Sequence, residues 1–267
     1  MNQQSKVAVV GAGIMGEALI SALISSGVNP ELITISEKRA DRSAELTAKY
    51  SIKQAPLAAN VAAADALLLV VKPQDMASVL EEIKGSINPT ALVITFAAGK
   101  SILFISSALS TGNPVVRVMP NTPTLVGAGM AAASVGPGVT AEQKQFVLGF
   151  LAATGKVIEV SEDLQDAVTA TSGSGPAYFF AFVEAMVAGA KELGLSDEDA
   201  TTLTIQTIVG AAKLLDESGK SATTLRENVT SPNGTTAAAL ASFGSSDLNS
   251  MVAKAMKAAR DRSQELA

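Results

Sequence analysis

The chain changes its pattern of apolar and polar positions once, near residue 160. Before that point short apolar runs alternate with longer helical stretches. Val7-Ala-Val-Val10 is the first run, and residues 15–26 follow it with helical spacing up to Gly27. Leu32-Ile-Thr-Ile35 is the second, followed by a charged helical stretch from Arg39 to Lys49. Ala66-Leu-Leu-Leu-Val-Val71, Ala91-Leu-Val-Ile-Thr-Phe96 and Pro114-Val-Val-Arg-Val118 continue the series. Runs that are apolar at every position are what strands covered on both faces require. Strands alternating with helices predict βαβ units and an open parallel sheet.

After Glu159 no strand-like run recurs, and Ala-rich helical stretches cover 163–172, 176–193, 197–218 and 247–265. Pro176 suits a first helical turn and Gly194 a helix stop. Ser196 before Asp197-Glu-Asp199 reads as an N-cap with acids in the first turn. The pattern therefore predicts an α/β domain over 1–161 and an all-α domain over 162–267. The helices are apolar on more than one face, which predicts a homodimer through the helical domain.

Composition narrows the chemistry. The 267 residues are 48% hydrophobic and 17% charged, enough for a sizeable core and too apolar for disorder. A net charge of -5 gives no footprint for nucleic acid or an anionic membrane. Cys and His are absent, which excludes disulfides, a thiol nucleophile and a Ser-His triad. No metal site is expected. Any reaction has to rely on a cofactor, carboxylates, Lys, Tyr or hydroxyls. The longest apolar stretch, from Pro176 to Val187, is interrupted by Glu184, so no membrane span is expected. Met1 to Lys6 carries no secretion signal pattern, and a cytoplasmic protein is expected.

Gly11-Ala12-Gly13-Ile14-Met15-Gly16 follows the first strand and opens a helix. That is the setting of a dinucleotide fingerprint and of a Rossmann-type domain. Gly11 permits the tight turn, Gly13 the approach of a pyrophosphate, and Gly16 close packing of helix on strand. Helix-start amides then stabilise the phosphates. The second strand ends in Ser36-Glu-Lys-Arg39. Glu37 would bind a ribose 2′-hydroxyl, whereas Ser36, Lys38 and Arg39 would favour a 2′-phosphate. Two charged hydrogen bonds of about 1.5–3 kcal/mol each outweigh one poorly aimed carboxylate, so NADPH is expected, with NADH as the other possibility. Three further loops lie at strand ends: Val71-Lys72-Pro73, Ala97-Ala98-Gly99 and Met119-Pro-Asn121-Thr-Pro123.

Two polar clusters remain. Ser172-Gly-Ser174-Gly175-Pro-Ala-Tyr178 lies at the domain junction, and Asn228-Val-Thr-Ser231-Pro-Asn-Gly234-Thr235-Thr236 precedes a helix pattern. The second cluster fits a glycosylation acceptor twice, an interhelical turn, or an anion-binding helix start. A cytoplasmic location sets the first of these aside.

Together with Arg117-Val-Met-Pro-Asn-Thr-Pro123, these motifs resemble the pyrroline-5-carboxylate reductase family over nearly the whole chain. The family has Gly where this chain has Asn233, a residue that tolerates left-handed backbone. The resemblance implies reduction of L-1-pyrroline-5-carboxylate to L-proline by hydride from NADPH or NADH, the last step of proline biosynthesis. It implies a cofactor spanning the loops at Gly11, Val71, Ala97 and Asn121. Ser231, Gly234, Thr235 and Thr236 would cradle the cyclic imine, with Thr236 on the ring nitrogen, and Ser174 and Gly175 would border the reacting face. Larger assemblies, such as a decamer of dimers, would be built from the helical dimer. The alternatives are another NADP-dependent imine reductase, a β-hydroxyacid dehydrogenase using Lys191 or Lys213, and a non-catalytic NADP-binding protein.

Overall fold

The apolar runs become strands of one sheet in the computed structural model, which describes Met1 and residues 3–266. Strands β1 (Val7–Val10), β2 (Ile33–Ser36), β4 (Ala66–Leu69), β5 (Leu92–Thr95) and β6 (Val115–Met119) fall on the expected runs. Three strands went unread: β3 (Lys53–Gln54), β7 (Gly129–Val135) and β8 (Gly155–Glu159). The sheet order is β3-β2-β1-β4-β5-β6-β7-β8. Pairing is parallel from β3 to β6, as expected of an open parallel sheet, and β7 is added antiparallel to β6 at one edge. Register is regular, with Val7 opposite both Ile33 and Ala66.

Alternate residues of each strand feed opposite faces. Val7, Val9, Ile33, Ile35, Leu68 and Ile94 belong to one buried cluster, and Ala8, Val10, Leu67, Leu69 and Val93 to the other. This two-sided burial is why the runs have no polar alternation. Helices α1 (Ile14–Ser25), α2 (Ala40–Tyr50), α3 (Leu57–Ala63), α4 (Met76–Ile83), α5 (Ile102–Leu109) and α6 (Ala141–Ala152) cover the sheet. A short helix α7 (Gln165–Val168) runs on into a π turn at Thr169–Gly173.

The chain divides into two compact units, Met1–Ser174 with Ala259–Ala267, and Gly175–Ala258. The second unit holds α8 (Gly175–Glu192), α9 (Asp197–Glu217), α10 (Ala222–Asn228), α11 (Thr235–Ser245) and most of α12 (Leu248–Glu265). Its helix ends follow the sequence signals. Ser196 accepts from the Asp199 amide as an N-cap, and Gly194 takes φ +100° beyond the end of α8. Phe179, Phe180, Leu203, Val209 and Met251 are exposed on this unit. Among the described residues no helix is long and apolar enough to cross a membrane.

Leu68 lies fully buried on β4 at the middle of the sheet. Leu68→Ala is expected to cost about 2–5 kcal/mol, read as a lowered urea midpoint at unchanged slope.

Candidate active site

The turn after β1 is shaped by missing side chains. Gly11 takes φ +87°, and a Cβ there would lie 2.9 Å from the Val70 carbonyl oxygen. A Cβ on Gly16 would collide with the Gly11 carbonyl. Gly13 faces open space within 4 Å. It caps α1 without a side-chain bond, so the first amides of that helix keep their donors. Backbone approach at Gly13 beside free helix-start amides is what a pyrophosphate requires.

The Ala12 peptide is held at both ends. Its amide donates to Glu37 Oε2 at 2.9 Å, and its carbonyl accepts from Arg42 Nε at 3.2 Å. Arg42 also pairs with Glu17 and with Glu45. Lys49 Nζ and Tyr50 Oη reach Glu17 Oε1 at 2.8 and 3.0 Å. Glu17 sits in the first turn of α1, where its charge would oppose a bound anion. Lys49 and Arg42 neutralise it there. The Lys49 ammonium foremost, with Arg42 and Tyr50, holds the Glu17 carboxyl at about 2, against an ordinary 4.5.

The end of β2 departs from the expected donor set. The Ser36 hydroxyl donates to the Ala55 carbonyl at 3.0 Å and accepts from Asn60 Nδ2 at 2.9 Å. Its proton is thus committed within the fold. Glu37 accepts from the amides of Ala12 and Arg39, and Arg39 Nε lies 3.5 Å from Glu37 Oε1. Burial works to raise the Glu37 carboxyl, but the two amides and the Arg39 guanidinium outweigh it and hold it below the ordinary carboxylate value. Lys38 and Arg39 remain exposed.

These residues line a cavity of about 880 Å³ together with Gly11, Gly13, Val71 and Lys72. Its far wall is Gln54, Ala55, Pro56 and Leu57, from β3 and the start of α3, residues that carry no motif of their own. The cavity opens where β1 and β4 adjoin and their connections depart in opposite directions, the point at which open α/β sheets take ligands. Its size suits half of a dinucleotide. Pro73 opens a short 3-10 turn beyond Lys72.

The other strand-end residues lie farther along the same sheet edge. Ala97 and Gly99 are buried after β5, with Ala98 between them half-buried. Asn121 follows β6, and its side chain serves the fold at both ends. Its Nδ2 donates to the Ser172 carbonyl at 3.1 Å, and its Oδ1 accepts from the Met130 amide at 2.8 Å. The Ser174 amide donates to the Thr169 carbonyl at 2.8 Å. The Ser174 amide is therefore taken up by the π turn.

In the helical unit, Asn233 takes φ +59°, a left-handed conformation that Asn tolerates better than most residues. Gly234 caps α11, whose first residues are Thr235 and Thr236. A side chain at 234 would strike the Ser231 hydroxyl. The absent Cβ thus brings Ser231 Oγ to the amide end of α11, where Thr236 is half-buried. Lys191 pairs with Asp197 at 2.6 Å and Lys213 with Glu217 at 3.9 Å, both at exposed positions. Neither has the environment of a catalytic base. Among the described residues no acidic cluster could hold a metal ion.

A carboxyl held low in the folded state contributes stability above its unfolded pKa and loses it as pH falls toward the folded value. Between about pH 4.5 and about 2, Glu17→Gln should lose less stability than the native chain. Urea midpoints measured across that range check this, and equal slopes would remove Glu17 as a source of acid sensitivity.

A family model described as pyrroline-5-carboxylate reductase dimerisation matches residues 162–266. Another, described as NADP oxidoreductase coenzyme F420-dependent, matches residues 6–99. A pyrroline-5-carboxylate reductase of Corynebacterium melassecola is 41% identical over 264 residues, covering 97% of this chain and 98% of that protein. The solved structure of a pyrroline-5-carboxylate reductase from Coxiella burnetii superposes with a TM-score of 0.90 at 35% identity, covering 99% of each chain. That of the Plasmodium falciparum enzyme with NADP bound gives 0.88 at 28% identity, covering 100% of this chain and 99% of that one. A dimerisation model over the helical region marks a homo-oligomer. The chain belongs to the pyrroline-5-carboxylate reductase family.

Proposed function

We propose that this chain reduces L-1-pyrroline-5-carboxylate to L-proline, with its dinucleotide cofactor held along the strand ends and its imine held at the start of α11. The observation that carries the reading is the Ser231–Thr236 turn. Asn233 supplies the left-handed residue, and Gly234 leaves the helix start open beside a hydroxyl. Such a turn binds a carboxylate through amides without any Arg.

The adenosine half of the cofactor is assigned to the cavity between Glu37–Arg39 and Gln54–Leu57, with its pyrophosphate on Gly11–Gly16. Val71, Lys72 and Pro73 border the middle, and Ala97, Ala98, Gly99 and Asn121 the reacting end. When bound, the cofactor supplies the hydride. The residues of this chain hold and orient. Ser231 and the amides of Gly234, Thr235 and Thr236 fix the substrate carboxylate, and the Thr236 hydroxyl faces the ring nitrogen, where a proton is gained. Ser174 and Gly175 border the reacting carbon. Orientation of this kind supplies several kcal/mol without a strong base, which suits a chain with no His and no Cys. The protein is assigned to the cytoplasm. Its dimer is assigned to the exposed apolar faces of α8 and α9, with larger assemblies built from that dimer.

Oxidation of NADPH, followed optically with and without the imine and repeated with NADH, tests the reaction. Imine-dependent oxidation is expected, and its absence from folded protein that binds NADPH would overturn the reading. Thr236→Ala should lower kcat/KM about tenfold, or ~1.4 kcal/mol, while native kinetics would remove Thr236 from the site. Glu37→Gln takes an ionised carboxylate away from the ribose end. The NADPH-to-NADH ratio of kcat/KM should rise by about tenfold, the worth of one charged hydrogen bond. An unchanged ratio would leave Glu37 as an anchor of the Ala12 peptide only.

A further inference from the structure

The last turn of the chain returns to the sheet unit and touches a cofactor loop. Gly99 takes φ +73°, and a Cβ on it would lie 2.8 Å from both Leu266 Cβ and the Ser263 carbonyl oxygen. Glycine is thus required there twice over, by its backbone angle and by the proximity of the chain end. Ser263 is buried, 2% exposed, and its hydroxyl donates to Asp166 Oδ1 at 2.7 Å. The same Asp166 oxygen lies 3.5 Å from the buried Arg117 guanidinium. Arg117 also lies 3.5 Å from Glu162 Oε1, which accepts from the Ile102 amide at 2.6 Å. Ile102 begins α5, immediately beyond the Ala97-Ala98-Gly99 loop. One chain of polar contacts therefore runs from Ser263 to the far side of that loop, while Leu266 and the Ser263 carbonyl pack on its near side.

We infer that the Ser263–Leu266 turn is a positioning element for the Ala97-Ala98-Gly99 loop, and that it sets the seat of the cofactor's nicotinamide end. The inference rests on the proposed reading of that loop. The cavity at Glu37–Arg39 lies on the β2 side of the Gly11 turn. A dinucleotide whose adenosine half fills it and whose pyrophosphate crosses the turn must extend the other way, past β4 toward the end of β5. The Gly99 loop stands there. Ser263 touches no reacting atom and acts only through the loop. Ser263→Ala leaves Arg117 both of its carboxylates, so no buried charge is orphaned and the variant should fold.

The test compares two ligands on three proteins. NADP⁺ and its fragment lacking nicotinamide, 2′-phospho-ADP-ribose, are titrated calorimetrically into the native chain, Ser263→Ala and a chain ending at Arg262. Amide exchange is followed over residues 97–102 in each. The shortened chain is expected to bind NADP⁺ about fivefold more weakly, the equivalent of one net hydrogen bond, with Ser263→Ala intermediate. Affinity for the fragment should be unchanged, and exchange over 97–102 should quicken against the rest of the sheet unit. Equal weakening of both ligands, or unchanged NADP⁺ affinity with unchanged exchange, would overturn the inference. The readout needs no imine, so it stands apart from the turnover assay. A native chain that fails to turn over the imine leaves the comparison interpretable, and one that binds neither ligand refutes both the inference and the cofactor assignment.

Discussion

How closely α1 approaches β1 sets what the rest of the sheet edge is able to do. Gly16 rests on the Gly11 carbonyl, and Gly11 on the Val70 backbone, at separations that no side chain would allow. The approach aims the free amides of the helix start at the space beyond Val10. It also forces the Ala12 peptide into a single orientation. Glu37 takes its amide and Arg42 its carbonyl, so both charges are committed to geometry before any ligand arrives. The loop is preorganised in a literal sense, because its backbone groups are tied to side chains from β2 and α2.

That arrangement distributes charge with care. Glu17 brings a carboxylate into the first turn of α1, an unfavourable neighbour for phosphate. Arg42, Lys49 and Tyr50 surround it, so its charge is balanced locally. The cations at Lys38 and Arg39 stay exposed on the other side of the loop. Arg39 is partly turned onto Glu37, which tempers both its pull on a 2′-phosphate and the repulsion from the carboxylate. Under the proposed reading, such a site would distinguish two dinucleotides by a small difference between opposing charges. The Ser36 hydroxyl has no proton left to offer in that contest.

The sequence made some of this plain and hid the rest, for physical reasons. Strands buried on both faces declare themselves by unbroken apolar runs, and β1, β4 and β5 were legible on that ground alone. β7 is Gly-Met-Ala-Ala-Ala-Ser-Val, small residues with weak strand preference. β8 lies at the sheet edge with little burial, and β3 has two residues, neither buried. None of the three writes a period into the sequence. The glycine turn and the Asn233 turn were legible because unusual backbone angles demand particular residues. Ser36 and Asn121 stand at strand ends, as the sequence pattern indicates, but their partners, Ala55, Asn60, Met130 and Ser172, leave no local signature. The Arg117 cluster left no local trace at all, since Glu162 lies 45 residues away from Arg117, and Ser263 lies 97 from Asp166.

The two units also differ in what holds them together. The sheet unit buries two clusters of apolar side chains within its own layers. The helical unit has few buried residues, Ala200 and Thr204 among them, while Phe179, Phe180 and Phe182 stay exposed on α8. Phe182 meets Phe243 at a ring separation of 6.3 Å within the unit. A unit with so little interior gains little from hydrophobic burial alone and needs a covering surface. The match of this region to a dimerisation model gives that surface a source in a second copy of the chain. A unit completed by association gains stability with protein concentration by mass action. The turn at Ser231–Thr236 lies in this helical unit. The glycine loop, by contrast, is shaped by contacts within the sheet unit alone.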